Sequence, residues 1–143
     1  MSTTDLDVAK KRIRGAELTL VVVKDNRVIL ESELRGVSGF LEAIDRLGVQ
    51  FEGASVADRV VGKAIALMCV YSKVKSIYAQ TLSQKAKIFL EENKIHLEWD
   101  TLVKRVLNAN KTKTCPFEKL VEKVNDPAVA YGKLAQACSM SRT

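Results

Sequence analysis

Aromatic residues are scarce in this sequence, at 6%, and no platform of the kind that stacks single-stranded bases is visible. Long apolar runs are missing as well. The longest is Ala64 to Tyr71, well short of the roughly 20 residues that cross a bilayer, so no membrane span is expected. The opening Met1-Ser2-Thr3-Thr4-Asp5 carries an acid where a secretory signal has a basic and then an apolar stretch, and the expected location is cytoplasmic. Cys69, Cys115 and Cys138 are an odd number with wide spacing, which argues against a disulfide framework and leaves reduced thiols as the default. The glycines form neither a P-loop nor a Gly-x-Gly-x-x-Gly pattern. There are no internal repeats and no low-complexity tail.

What is present is ordinary globular composition, 47% hydrophobic and 28% charged. A length of 143 residues fits one domain, 1–143, able to bury a core without staples. The formal charge of +6 points to anionic partners. Lysine and arginine are spread along the whole chain, however, so nucleic acid is not the expected partner.

Periodicity orders the elements. Thr4 to Arg14 reads as an amphipathic helix capped by Thr4, with Asp5 and Asp7 near its positive end and Gly15 after it. Leu18 to Val23 and Arg27 to Leu30 are strand-like runs joined by the tight turn Lys24-Asp25-Asn26. Ser38 is placed to cap a short helix carrying Phe40, Leu41, Ile44 and Leu47, which Gly48 stops. Val49 to Glu52 reads as a linker or short strand. A long, mostly apolar helix is then expected over Ser55 to Tyr71, with Ser55 and Asp58 satisfying its first amides. Val74 to Tyr78 reads as a buried strand, Ser83 to Glu92 as a helix and Ile95 to Trp99 as a strand, an alternation that implies parallel βαβ connections. Leu102 to Thr114 is the least regular stretch, with a short strand near Val103 to Leu107. Two terminal helices, Cys115 to Val124 and Asp126 to Ser139, each open on a proline, Pro116 and Pro127.

On the expected long helix, Ser55, Asp58, Arg59, Gly62, Lys63, Ala66 and Cys69 share one stripe. That stripe either admits a ligand or is a solvated face with close packing at its small residues. Lys63 has no acid four residues away on either side, so it snorkels to water, meets an anion, or carries amine chemistry if buried. A second constellation, Asn108 to Glu118, joins amides, hydroxyls, Lys111 and Lys113 to a helix start, where free amides favour phosphate or carboxylate. Cys115 at that start is the candidate catalytic thiol, since a helix dipole and Lys113 would make it more reactive. The alternative is a surface loop in which Thr114 or Cys115 caps the helix with help from Glu118. The lone histidine, His96, sits in His96-Leu97-Glu98, which superficially matches the His-x-Glu of a zinc site. The segment reads as a strand and no Cys-x-x-Cys follows it, so no metal site and no zinc are expected. A Cys115–His96 dyad stays open, because sequence does not show proximity.

Three blocks, Gly53-Ala54-Ser55-Val56-Ala57-Asp58-Arg59-Val60-Val61-Gly62-Lys63-Ala64, Val74-Lys75-Ser76-Ile77-Tyr78-Ala79 and Lys111-Thr112-Lys113-Thr114-Cys115-Pro116-Phe117-Glu118-Lys119, resemble an uncharacterised prokaryotic domain-of-unknown-function family with a cytidine deaminase-like fold. The resemblance covers roughly residues 15 to 138. It implies a three-layer αβα sandwich with a mixed sheet, an α/β fold whose central helix spans about 55–71. Where true deaminases carry histidine and glutamate, this chain reads Ser55-Val56-Ala57. Where they carry two further cysteines, it reads Ser83-Gln84-Lys85-Ala86. The resemblance further implies a catalytically silent domain that binds nucleotide-like ligands of the ADP-ribose or NAD type. The positions carried over are Ser55, Asp58, Lys63, Asn110, Lys111, Thr112, Lys113 and Cys115.

The leading expectation is therefore a deaminase-like domain without zinc that holds an anionic, nucleotide-like small molecule between the Ser55 helix start and the Asn108 to Cys115 loop. Lys63, Lys111 and Lys113 would offset phosphate, Ser55 and Thr112 would donate, and Asp58 would accept. The competing expectations are an enzyme of another class using Cys115 or Lys63, and a basic module for nucleic acid or protein. Homo-oligomerisation stays open.

Overall fold

Thr4 opens the first element with a reciprocal cap. Its hydroxyl accepts from Asp7 N–H at 3.1 Å, and its own N–H donates to the Asp7 carboxylate at 3.3 Å. The Asp7 carboxyl is held below its usual range, first by the Thr4 side chain and then by the Thr4 N–H. The helix that follows, α1, is Asp5–Arg14. The computed structural model describes residues 4–34, 36–107 and 114–141.

Strands β1 (Leu20–Lys24) and β2 (Arg27–Ser32) form the expected hairpin. Asp25 and Asn26 both take positive φ, 53° and 64°, as a two-residue turn between twisted strands requires. The Asp5 carboxylate accepts both of their N–H groups, at 3.0 and 2.8 Å, and so ties the start of α1 to the turn. Helix α2, Gly36–Leu47, begins before Ser38, which therefore lies inside the helix and does not cap it. Gly48, at φ +52°, ends α2 in a conformation that suits glycine, and a 3-10 turn, Gly48–Phe51, replaces the expected linker or strand.

The long helix expected over Ser55 to Tyr71 does not form. Its first half is a strand, β3 (Ser55–Val61), and only Lys63–Tyr71 is helical, as α3, with Gly62 between them. The reason is tertiary. β3 is the middle strand of the sheet, hydrogen-bonded to β1 on one side and to the next strand on the other, and it is covered on both faces. A strand buried on both faces loses the apolar–polar alternation that marks a half-exposed one, and reads as a continuous apolar run. Ser55 caps nothing there; its hydroxyl lies 2.6 Å from that of Ser76.

The remaining elements are β4 (Ser76–Ser83), α4 (Gln84–Glu92), β5 (His96–Val103), α5 (Pro116–Leu120) and α6 (Pro127–Ser141). The sheet order is β2-β1-β3-β4-β5. β1 is antiparallel to both of its neighbours, whereas β3, β4 and β5 run parallel. The α/β sandwich and mixed sheet that the resemblance implies are both present. On one face α1 packs Leu6, Ala9 and Ile13 against Val21, Val23, Ala57 and Tyr78. On the other, α2, α3, α4 and α6 bury Phe40, Leu67, Leu90 and Leu134 against Val22, Val56, Ile77 and Leu82. Helix α3 lies at the centre of that layer, buried from Lys63 through Cys69. Among the described residues no helix is long and apolar enough to cross a membrane.

Candidate functional site

Because β3, β4 and β5 are parallel, their carboxyl ends emerge along one edge of the sheet. β3 passes through Gly62 into α3, β4 passes through Ser83 into α4, and β5 leaves through Lys104 and Arg105. The chain then returns: Leu107 bridges Thr114, and Cys115 N–H donates to Val106 C=O at 3.0 Å. This brings α5 over the same edge. A cleft of about 530 Å³ lies between them, lined by the cations Lys63, Lys85, Lys104, Arg105 and Lys119 and the acids Glu118 and Glu122.

Glu118 is already engaged. Its carboxylate accepts from Lys63 N–H at 2.8 Å and from Ala64 N–H at 2.7 Å, so it caps α3 from 55 residues away. The helix needs that cap because Gly62, at its N-cap position, has no side chain to supply one. The same glycine makes room: a Cβ there would lie 2.3 Å from Glu118 Oε1. Lys63 Nζ donates to the Glu122 carbonyl at 2.9 Å. Burial, and then the charge of Lys85, pull the Lys63 ammonium below its ordinary pKa, against the opposing pull of Glu118 and Glu122. At α4, Ser83 Oγ accepts from Ala86 N–H at 3.1 Å.

Glu118→Ala should cost about 1 kcal/mol, the usual value of an N-cap, and should speed amide exchange at Lys63 and Ala64 above all others. Unchanged exchange at those two amides would remove Glu118 from this role.

Of the residues singled out from sequence, Lys63 lines this cleft. Ser55 does not: it begins β3, and seven strand residues put it about 20 Å from the opposite end. It lines a small recess at the other edge of the sheet with Ser76 and His96. Asp58 is in mid-strand, buried, and opens onto a separate cavity. The expected helix start at Ser55 is therefore not formed, because the segment carrying Ser55 and Asp58 is strand, and Asn108 and Ala109 of the expected loop lie outside the described residues. Asn110, Lys111, Thr112 and Lys113 lie outside the described residues. Cys115 is half-buried, precedes a helix of only five residues, and makes no side-chain cap. The Cys115–His96 dyad is ruled out by position. His96 begins β5, whereas Cys115 is bonded beyond the strand's other end. His96 is exposed, with Nε2 3.2 Å from Glu98, and Glu98 also receives Lys10 Nζ at 2.6 Å. Those contacts, Lys10 foremost, hold the Glu98 carboxyl below its usual range.

The sequence reading missed Lys85, Lys104, Arg105 and Lys119. A signal did exist: Lys85 and the Lys104-Arg105 pair immediately follow strand ends in a βαβ alternation, where parallel order puts them on one edge. Among the described residues no three histidine, cysteine, aspartate or glutamate side chains converge as metal ligands would.

Against known families, the model described as domain of unknown function DUF1893 matches residues 8–137. The chain belongs to the DUF1893 family. A DUF1893 family protein from Thermotoga maritima is 28% identical over 96% of this chain and 92% of that one, with a TM-score of 0.86. RibD from Acinetobacter baumannii is 20% identical over 58% of this chain and 28% of its own, with a TM-score of 0.45. A diaminohydroxyphosphoribosylaminopyrimidine deaminase/5-amino-6-(5-phosphoribosylamino)uracil reductase from Thermotoga maritima is 20% identical over 73% of this chain and 34% of its own, with a TM-score of 0.46. These last two are much longer proteins, of which the DUF1893 chain spans 28% and 34%. No curated protein matches.

Proposed function

We propose that this chain binds an anionic small molecule in the cleft at the carboxyl ends of β3, β4 and β5. One observation carries the reading: five cationic side chains from four separate segments surround the cleft against two carboxylates, and one of those, Glu118, is bonded to the α3 amides. The volume falls within the range of small-ligand sites, and the edge is the one where open α/β sheets hold ligands. Lys85, Lys104, Arg105 and Lys119 offset phosphate charge, and the Ser83 and Thr114 hydroxyls donate to its oxygens. A nucleotide-like ligand of the ADP-ribose or NAD type is the class to test first. Binding needs no zinc in this reading, because the cleft is lined by lysine, arginine, hydroxyl and carboxylate groups without histidine or cysteine.

A thermal-shift series with ADP-ribose, NAD, inorganic pyrophosphate and uncharged adenosine tests it. A ligand at about 100 times its Kd adds roughly 2.7 kcal/mol, so the phosphate compounds should raise Tm while adenosine should not. The double variant Lys104→Ala/Arg105→Ala should weaken binding at least tenfold, since charge-assisted hydrogen bonds to phosphate contribute about 1.5–3 kcal/mol. Equal response of parent and variant would exclude this cleft.

A further inference from the structure

Lys63 is the buried cation of the basic cleft. It is 9% exposed, whereas Lys85, Lys104, Arg105 and Lys119 around it are exposed. Burying an ammonium is costly unless a carboxylate pairs with it. Two carboxylates lie nearby, and both are turned to other partners. Glu118 accepts from the Lys63 and Ala64 N–H groups at the start of α3, and the Glu122 carboxylate lies 3.7 Å from Lys85 Nζ. Lys63 Nζ is left with a neutral acceptor, the Glu122 carbonyl at 2.9 Å. That bond survives loss of a proton, because a neutral amine still has N–H groups to donate and keeps a lone pair besides.

The groups that act on the Lys63 charge come from the elements packed around it. Burial, and then Lys85 on α4, lower its pKa, and Glu118 on α5 and Glu122 just beyond it oppose them. A lysine shifted in this direction and lining a cleft has the properties of an amine nucleophile. The surrounding cations meet a second requirement, a place for an anionic group beside the amine. We propose that Lys63 Nζ forms an imine with a small phosphorylated aldehyde whose phosphate is held by the exposed cations of the cleft. This rests on the cleft being an anion site, and it narrows the ligand to compounds that carry a reactive carbonyl.

The chemistry balances without a co-reactant. The ammonium gives one proton to solvent, and the Nζ lone pair attacks the carbonyl carbon as the C=O π pair moves to oxygen. The remaining amine protons leave with that oxygen as water, and C=N replaces C=O. Nothing is oxidised or reduced. A lysine that served only to hold the segment after α5 against α3 would need the Glu122 bond and not the lone pair. Arginine can make that bond but has no amine to condense.

The experiment incubates the full chain with substoichiometric pyridoxal 5′-phosphate, a phosphorylated aldehyde with a visible imine band, reduces with borohydride and maps the label by peptide mass spectrometry. Lys63 should carry the label, inorganic pyrophosphate should compete it away, and pyridoxal without the phosphate should react roughly tenfold less. Lys63→Arg should lose the imine band. If that variant does not fold, the map on the parent chain decides alone. Label on Lys85 or Lys119 with Lys63 unmodified, label spread over surface lysines, equal reaction of pyridoxal, or an imine band kept by Lys63→Arg would overturn the proposal. A parent chain that pyrophosphate stabilises but that forms no imine overturns it and leaves the anion site standing, whereas absence of both removes the two readings together.

Discussion

Asp58→Asn should stabilise the protein at pH 7 by up to about 4 kcal/mol and flatten its stability between pH 4 and pH 8. The sign follows from proton binding. The folded chain holds a proton on Asp58 up to about pH 8, whereas the unfolded chain releases it near the ordinary value of 3.8. Across that window the native state binds more protons than the unfolded one, so stability falls as pH rises, by about 1.4 kcal/mol per unit. The contribution is fully present below pH 3.8, largely gone by pH 7, and constant above pH 8. Asparagine keeps an oxygen to accept from Val60 N–H and has no proton to lose. Urea unfolding of parent and variant at pH 4, 7 and 9 checks this. Parallel stability curves would mean that the Asp58 carboxyl is ionised in the native state.

Tyr78→Ala should cost about 3–5 kcal/mol, the range for removing a buried aromatic side chain, and Tyr78→Phe only about 1 kcal/mol, the worth of one hydrogen bond. The ring is fully buried between α1 and the sheet. Lys10 Nζ and the Arg14 guanidinium each lie 5.1 Å from its centre. Its hydroxyl donates to Asp100, which Arg14 also reaches at 3.2 Å. Burial, and then the Asp100 contact, raise the Tyr78 hydroxyl above its ordinary pKa. Denaturant unfolding with hydrogen exchange should show α1 loosening first in Tyr78→Ala. Tyr78 lies near the start of β4, away from the basic cleft, so anion binding by the folded fraction should not change. A loss below 1 kcal/mol in the alanine variant would mean that α1 contributes little to the core.

The parts of this fold that local chemistry specifies were readable in the sequence. The Thr4 cap, the Asp25-Asn26 turn and Ser83 opening α4 each depend on residues within a few positions of one another. Ser55 to Val61 was not readable in this way. Its valines suit either a helix or a strand, and the choice is made by β1 and β4, which hydrogen-bond its two edges from more than 30 residues before and 21 residues after. The site followed the same division. Lys63 stood out as a lysine without a local partner, but Lys104, Arg105 and Lys119 join it only once β5 lies parallel to β3 and α5 folds back. Asp58 was singled out as an acceptor at the start of a helix; it is instead an acceptor in mid-strand, in a different cavity.

The cap that Glu118 places on α3 also bears on the order of assembly. The central helix sits midway along the chain, yet the group that satisfies its first amides follows Lys63 by 55 residues. During synthesis β3, α3 and β4 leave the ribosome with that end of the helix still open, and it closes only when α5 has emerged and docked. A nascent chain stopped short of residue 118 would carry the central helix without its cap at the end that faces the basic cleft, so the segment that closes the helix is also one that completes the site.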